Sequence, residues 1–231
     1  MKKLTTSLTI DFMRTSLLLI ALAGCGGDHM QAIDAAPDVA LDCPSYCAEA
    51  QANCTGANAQ YPDMAHCTAT CVSFTQENST VTDKSGNTLG CRIYYAGAPS
   101  MTAPATHCAH ASPAGDLITA TSPAFCSGGD VCTSFCTLEI KACGSLEAPL
   151  PGDPRDDTNN HLFQYRNMAD CMSSCAGFDK THAYSTMAAG NSLACRLYHA
   201  TNAAIDVANG KIHCSHTAAF PTGPCAGTPT P

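Results

Sequence analysis

Residues 43–54 read CPSYCAEAQANC, and residues 132–143 read CTSFCTLEIKAC. Both run C-x3-C-x6-C. On a helix, positions four apart stack on one face, and 3.6 residues per turn return the third cysteine to the same side. Asp42 ahead of Cys43-Pro44 supplies an N-cap candidate and an early proline, two marks of a helix start. Ile140 joins the stripe in the second copy. Each stretch is therefore expected to be a helix with a column of sulfur on its inner face.

Working outward, the full cysteine spacing repeats. From Cys43 it is C-x3-C-x6-C-x12-C-x3-C-x19-C-x16-C-x17-C, ending at Cys126. From Cys132 it is C-x3-C-x6-C-x27-C-x3-C-x19-C-x18-C-x10-C, ending at Cys225. The differences fall where loops belong, and residues between the cysteines agree as well. Tyr61, Met64 and Ala65 precede Cys67 as Tyr165, Met168 and Ala169 precede Cys171. Phe74 and Phe178 follow Cys71 and Cys175 at the same offset, and Gly86-Asn87-Thr88-Leu89 answers Gly190-Asn191-Ser192-Leu193. The chain carries one unit written twice, at 43–130 and 131–231.

Helical signals dominate each unit. A second helix is expected from Pro62-Asp63, with Met64, Cys67, Cys71 and Phe74 inward, and a third from Asn87 or Thr88, carrying Leu89, Cys91, Arg92 and Tyr94. Runs of alternating β-branched residues are nearly absent. The expected fold class is all-α, small and disulfide-rich: two tandem repeats built on helical hairpins, with long irregular loops.

The two C-x3-C helices of a unit can form a two-rung ladder when antiparallel. That geometry pairs Cys43 with Cys71 and Cys47 with Cys67, and likewise Cys132 with Cys175 and Cys136 with Cys171. A rival ladder, Cys54–Cys67 with Cys47–Cys71, fits less well because it sets a spacing of seven against four. The spacing resembles the twin C-x3-C hairpins of the small mitochondrial import chaperones, in spacing only and with no function implied. The remaining cysteines are expected to pair as Cys54–Cys91, Cys108–Cys126, Cys143–Cys195 and Cys214–Cys225.

The N-terminus explains why so many cysteines are tolerated. Lys2, Lys3 and Arg14 precede a short apolar core, Leu17 to Ala23, too short to span a bilayer. It ends in Leu22-Ala23-Gly24-Cys25, which resembles the lipobox of bacterial lipoproteins. The resemblance implies removal of residues 1–24 and diacylation of Cys25, with the new amino terminus acylated too, and several chains anchor durably. Met13 is an alternative start giving a compact signal. Gly26 in place of an aspartate directs the expectation to the outer membrane of a diderm envelope. Residues 25–42 read as the lipidated cysteine and a flexible acidic tether. Setting Cys25 aside leaves sixteen of the seventeen cysteines, an even number for an oxidising compartment.

From Cys25 onward only 26 residues are Leu, Ile, Val or Phe, and the chain has no Trp. So thin a core is commonly reinforced by disulfides, each contributing roughly 2–4 kcal/mol. The formal net charge of −8 argues against nucleic acid and against adhesion to anionic headgroups. The expected partners are the membrane, through the lipid, and an envelope protein that the sequence leaves unnamed.

The chemistry-bearing residues are few. His-Cys-x-His occurs twice, as His107-Cys108-Ala109-His110 and His213-Cys214-Ser215-His216. Imidazoles three apart suit zinc or copper, with His199 or His66 as completing ligands. Against this, Tyr95 stands where His199 does and Asp170 where His66 does, so no set recurs whole. The competing reading has these histidines bonding loop carbonyls beside a disulfide. Arg92 and Arg196 are read as ties from the third helix to a loop, with anion recognition as the alternative, and Tyr94 and Tyr198 as core aromatics. The second unit's insertion, Glu147 to Arg166, offers Asp153, Asp156, Asp157, Asn159 and Asn160 to calcium, but lacks the EF-hand spacing. C-x-x-C, H-E-x-x-H and G-x-S-x-G are all missing. The function expected is that of a non-enzymatic, surface-anchored interaction or structural lipoprotein without a cofactor. The alternative is a zinc- or copper-binding protein using His107, His110, His213 and His216, and a hydrolase outside these motifs is the third class.

Overall fold

The first helix, α1 (Cys43–Asn53), begins where Asp42 accepts a hydrogen bond from the Ser45 amide at 2.8 Å. The computed structural model describes residues 39–117, 125–147 and 162–228. The expected signal and lipidated Cys25, most of the expected tether, and the insertion's acidic cluster lie outside them. After α1 come α2 (Met64–Cys71), α3 (Leu89–Ala96), α4 (Ala98–Thr102) and α5 (Pro104–His110). The second repeat supplies α6 (Val131–Cys143), α7 (Met168–Ala176), α8 (Leu193–Ala203) and α9 (Val207–Thr217). The fold is all-α, and Thr75 and Thr88 form an isolated bridge.

Equivalent caps start equivalent helices, because each leaves amides that a short polar side chain can satisfy. Asp42 and Asp130 cap α1 and α6, Asp63 and Asn167 cap α2 and α7, and Thr88 and Ser192 cap α3 and α8. The ends of the insertion are tied together, with the Leu146 and Glu147 amides donating to the Tyr165 and Arg166 carbonyls at 3.2 and 2.9 Å.

Eight disulfides join the helices. The ladders pair Cys43 with Cys71 and Cys47 with Cys67, each with Cα atoms 5.7 Å apart. They are matched by Cys132–Cys175 and Cys136–Cys171. The rival ladder does not form. The other four pairings differ from expectation: Cys54 joins Cys108, Cys91 joins Cys126, Cys143 joins Cys214 and Cys195 joins Cys225. The reason is helix direction. Asn53 Nδ2 donates to the Ala96 carbonyl at 2.9 Å, so the C-terminal ends of α1 and α3 meet. Cys91 lies five residues back along α3, about 7.5 Å away at 1.5 Å per residue. Cys54 instead bonds Cys108, with the Ser100 hydroxyl beside the bridge at 3.6 and 3.4 Å from the two sulfurs.

Two main cores form, one centred on each repeat. Tyr46, Tyr61, Phe74, Leu89 and Ile93 fill the first; Phe135, Leu138, Tyr165, Leu193 and Leu197 fill the second, together with Ala114 and Leu117 from the end of the first repeat. Met64, expected inward, is 46% exposed, and Tyr94 is half-buried while its neighbour Tyr95 is buried. One ring exchange shows how the copies diverged. In the first repeat Tyr46 donates to the Ala111 carbonyl and meets Tyr61 Oη at 2.8 Å. In the second, Phe135 replaces Tyr46, and Tyr165 Oη donates to the Thr217 carbonyl at 2.7 Å. The repeats touch where Lys141 Nζ donates to the Val72 carbonyl and His66 Nε2 lies 3.2 Å from Asn202 Oδ1.

Candidate functional site

The repeated arginines are tied to backbone carbonyls of loops and helix starts. Arg92 is fully buried and donates to the carbonyls of Ser112, Thr88 and Pro113 at 3.0–3.1 Å, its guanidinium 3.8 Å from the Phe74 ring centre. Arg196 repeats the pattern on the Ala218, Ser192 and Ala219 carbonyls and Asn191 Oδ1, over Phe178 at 3.9 Å. Burial draws the Arg92 pKa down to about 10, which leaves it charged at neutral pH.

The histidines are arranged differently from the sequence reading, which gave them loop carbonyls. They face one another. In the second repeat His199 comes from the middle of α8, four residues after Cys195, and His213 and His216 come from the last turns of α9. His199 Nδ1 lies 2.9 Å from His213 Nδ1 and 3.2 Å from His216 Nδ1. One ligand nitrogen from each ring falls within 4.8 Å of the other two. His199 is 5% exposed and the other two are half-buried. Burial, then His216 and His213, drives the His199 pKa down to about 3; burial also lowers His213 and His216. Each ring is thus neutral at pH 7, with a lone pair to offer. His199 also approaches the sulfurs of Cys195 and Cys225, but these are closed as a disulfide and offer no thiolate.

The first repeat holds the same constellation with one ring exchanged. His107 Nδ1 and His110 Nδ1 lie 3.4 Å apart, and Tyr95 stacks on His107 at 5.7 Å and meets His110 edge-on at 4.6 Å. His199 stacks on His213 at 5.1 Å and meets His216 edge-on at 4.5 Å. Here His110 Nε2 turns to Asp116 Oδ2 at 3.4 Å. His66 joins neither set, since Nδ1 lies 2.7 Å from Asp63 and Nε2 reaches Asn202. The four histidines of the alternative metal reading therefore fall into two groups, His213 and His216 beside His199 in the second repeat and His107 beside His110 in the first.

Beneath the triad lies a buried acid that sequence reasoning passed over. Glu139 of α6 is fully buried, and its Oε1 lies 2.8 Å from Thr217 Oγ1, which also lies 2.7 Å from the Cys214 carbonyl. Burial raises the Glu139 pKa to about 8, outweighing the hydrogen bond that the Thr217 hydroxyl donates to this carboxyl oxygen, which favours the charged form. Because the folded value exceeds the ordinary 4.5, this stabilisation is complete below about pH 4.5 and is lost as pH rises through about 8. Loss on the order of 5 kcal/mol is expected across that window, at about 1.36 kcal/mol per pKa unit. In metal-free buffer, Glu139→Gln should flatten the decline in melting temperature between pH 5 and 9. An unchanged slope would place the titration elsewhere. The first repeat has Ala50 and Ala111 at the positions of Glu139 and Thr217, so the signal was available as a paired difference between the copies.

A cleft of about 280 Å³ lies elsewhere, between Ala57 and the 181–194 segment. Its walls are mostly small residues with Tyr184 and Met187, and its one imidazole, His182, is held by Asp179 at 3.2 Å.

A family model described as the BfoA family C-terminal domain matches residues 39–135, the first repeat and the opening turn of α6. No curated protein and no solved structure matches the chain.

Proposed function

We propose that this chain is a membrane-anchored, extracytoplasmic, non-enzymatic binding module, held by a lipid on Cys25 and displayed on an acidic tether. The observation that carries the reading is the closure of all sixteen cysteines after Cys25 into eight disulfides, four within each repeat. Such a body persists in an oxidising compartment outside the cytoplasm. The use of Arg92, Arg196, Tyr46 and Tyr165 to tie loops to helices supports a rigid scaffold over a catalytic cleft. The Leu22-Ala23-Gly24-Cys25 sequence supports the anchor, and Gly26 supports delivery to the outer membrane.

Expressed with its signal in a diderm host, the wild-type protein is expected in the detergent phase of a detergent–water partition, with the added mass of acyl chains on the peptide beginning at Cys25. Cys25→Ser should move it to the aqueous phase with its eight disulfides intact. Detergent partition that survives the substitution would overturn the anchor.

A further inference from the structure

The ring nitrogens of His199, His213 and His216 converge in a way that hydrogen bonding does not account for. A neutral imidazole has one N–H and one lone pair, both in the ring plane. His199 Nδ1 meets two other Nδ1 atoms, at 2.9 and 3.2 Å, and can hold a proton or a lone pair but not both. One hydrogen placed there is shared between two acceptors; a lone pair placed there leaves two donors competing for it. In either tautomer His199 Nε2 remains buried without a hydrogen-bond partner. A cation among the three rings resolves the conflict, since each ring can then offer it a lone pair instead of competing for a proton. Zinc–nitrogen bonds of 2.0–2.1 Å at tetrahedral angles set neighbouring nitrogens about 3.3 Å apart, and the two separations from His199 Nδ1, 2.9 and 3.2 Å, lie a little inside that.

Two further features fit a cation. Both ligand helices are clamped at the site: Cys214, between the two α9 ligands, is bonded to Cys143 of α6, and Cys195, one turn before His199, is bonded to Cys225. Gly223 leaves the room that His216 occupies. A Cβ there would stand 2.7 Å from His216 Nε2, and its φ of +61° is one that glycine adopts without strain.

We propose that His199, His213 and His216 form a three-imidazole site for a divalent transition-metal ion of the zinc–copper class. Imidazole nitrogen suits that class, whereas calcium and magnesium require oxygen. Three protein ligands leave a fourth position for water or an incoming ligand, the pattern of an exchangeable site rather than a closed structural one. The proposal names a ligand for the module described above, and it stands independently of the lipid anchor.

The test uses the untagged full-length protein, purified in detergent with its disulfides mapped, stripped with chelator and titrated with Zn²⁺. One equivalent should bind, with no comparable binding of Ca²⁺ or Mg²⁺, and Co²⁺ should give the intense visible bands of tetrahedral coordination. His199→Ala and His216→Ala should each weaken Zn²⁺ binding by about 100-fold or more, beyond the 10–100-fold typical of groups that merely support a ligand. His216 is half-buried, so its variant tests the site even where loss of His199 disturbs α8. Gly223→Ala should weaken binding with every ligand present, and His107→Ala should leave it unchanged. Absence of stoichiometric binding, or binding that survives both triad substitutions, overturns the site. Cys25→Ser should leave the titration unchanged, so failure of the anchor and failure of the site are separately visible.

Discussion

Arg92→Lys is expected to cost about 2–4 kcal/mol, because an ammonium cannot reproduce three donors in a planar fork. The guanidinium reaches the Thr88 carbonyl at the head of its own helix and the Ser112 and Pro113 carbonyls of the loop after α5, spanning two directions at once. Lysine can serve one, and the carbonyls it abandons surround a side chain with no exposed surface of its own. The flat contact on Phe74, at 3.8 Å, is weakened as well. For a body of this size, roughly 2–4 °C per kcal/mol converts the loss to a fall in melting temperature of about 5–15 °C. Arg196→Lys should behave alike, since its fork meets the corresponding Ser192, Ala218 and Ala219 carbonyls. The two forks lie in separate cores, so the double variant should approach the sum. A melting temperature within about 1 °C of wild type for Arg92→Lys would show that the loop is held by other contacts.

What the sequence made legible was whatever local periodicity controls. Cys43, Cys47, Cys67 and Cys71 pair because residues four apart share a helical face, and that is a property of spacing alone. The caps at Asp42, Asp63 and Thr88 are legible for the same reason. The partners of Cys54 and Cys91 are not, because they depend on α1 and α3 meeting at their C-terminal ends, a fact of tertiary packing. The histidine triad lies beyond local rules too. His199 is fourteen residues from His213, on a different helix, and only the packing of α8 against α9 brings their Nδ1 atoms to 2.9 Å. The exchange of His199 for Tyr95 reads, from sequence, as evidence against a site because the set fails to recur. In three dimensions the same exchange marks which copy holds the full set. Differences between repeats carried more information about chemistry than their agreements, which mostly record the scaffold.

That exchange makes the strongest prediction available from the duplication. Tyr95→His is expected to give the protein a second metal equivalent. The ring of Tyr95 already occupies the place of the His199 ring, stacked on the first histidine of the pair and edge-on to the second. His107 and His110 hold their Nδ1 atoms 3.4 Å apart, close to the spacing that two ligands of one tetrahedral ion require. An imidazole at position 95 would supply the third. The new site should bind more weakly than the original, because Asp116 engages His110 Nε2 and the Phe125 ring packs on His110 at 4.4 Å, fixing that ring for its present contacts. The smaller side chain should also cost about 1–3 kcal/mol in packing. His199→Tyr should do the reverse and empty the second repeat. The double variant, Tyr95→His with His199→Tyr, should then bind one equivalent that is lost on His107→Ala and kept on His213→Ala. Native mass spectrometry with Zn²⁺, and the visible spectrum with Co²⁺, read all three directly. A folded Tyr95→His protein that still takes up a single ion would show that matching ring positions are not sufficient for ligation, and that the loop around His216, with Gly223 at its back, completes what the two helices begin.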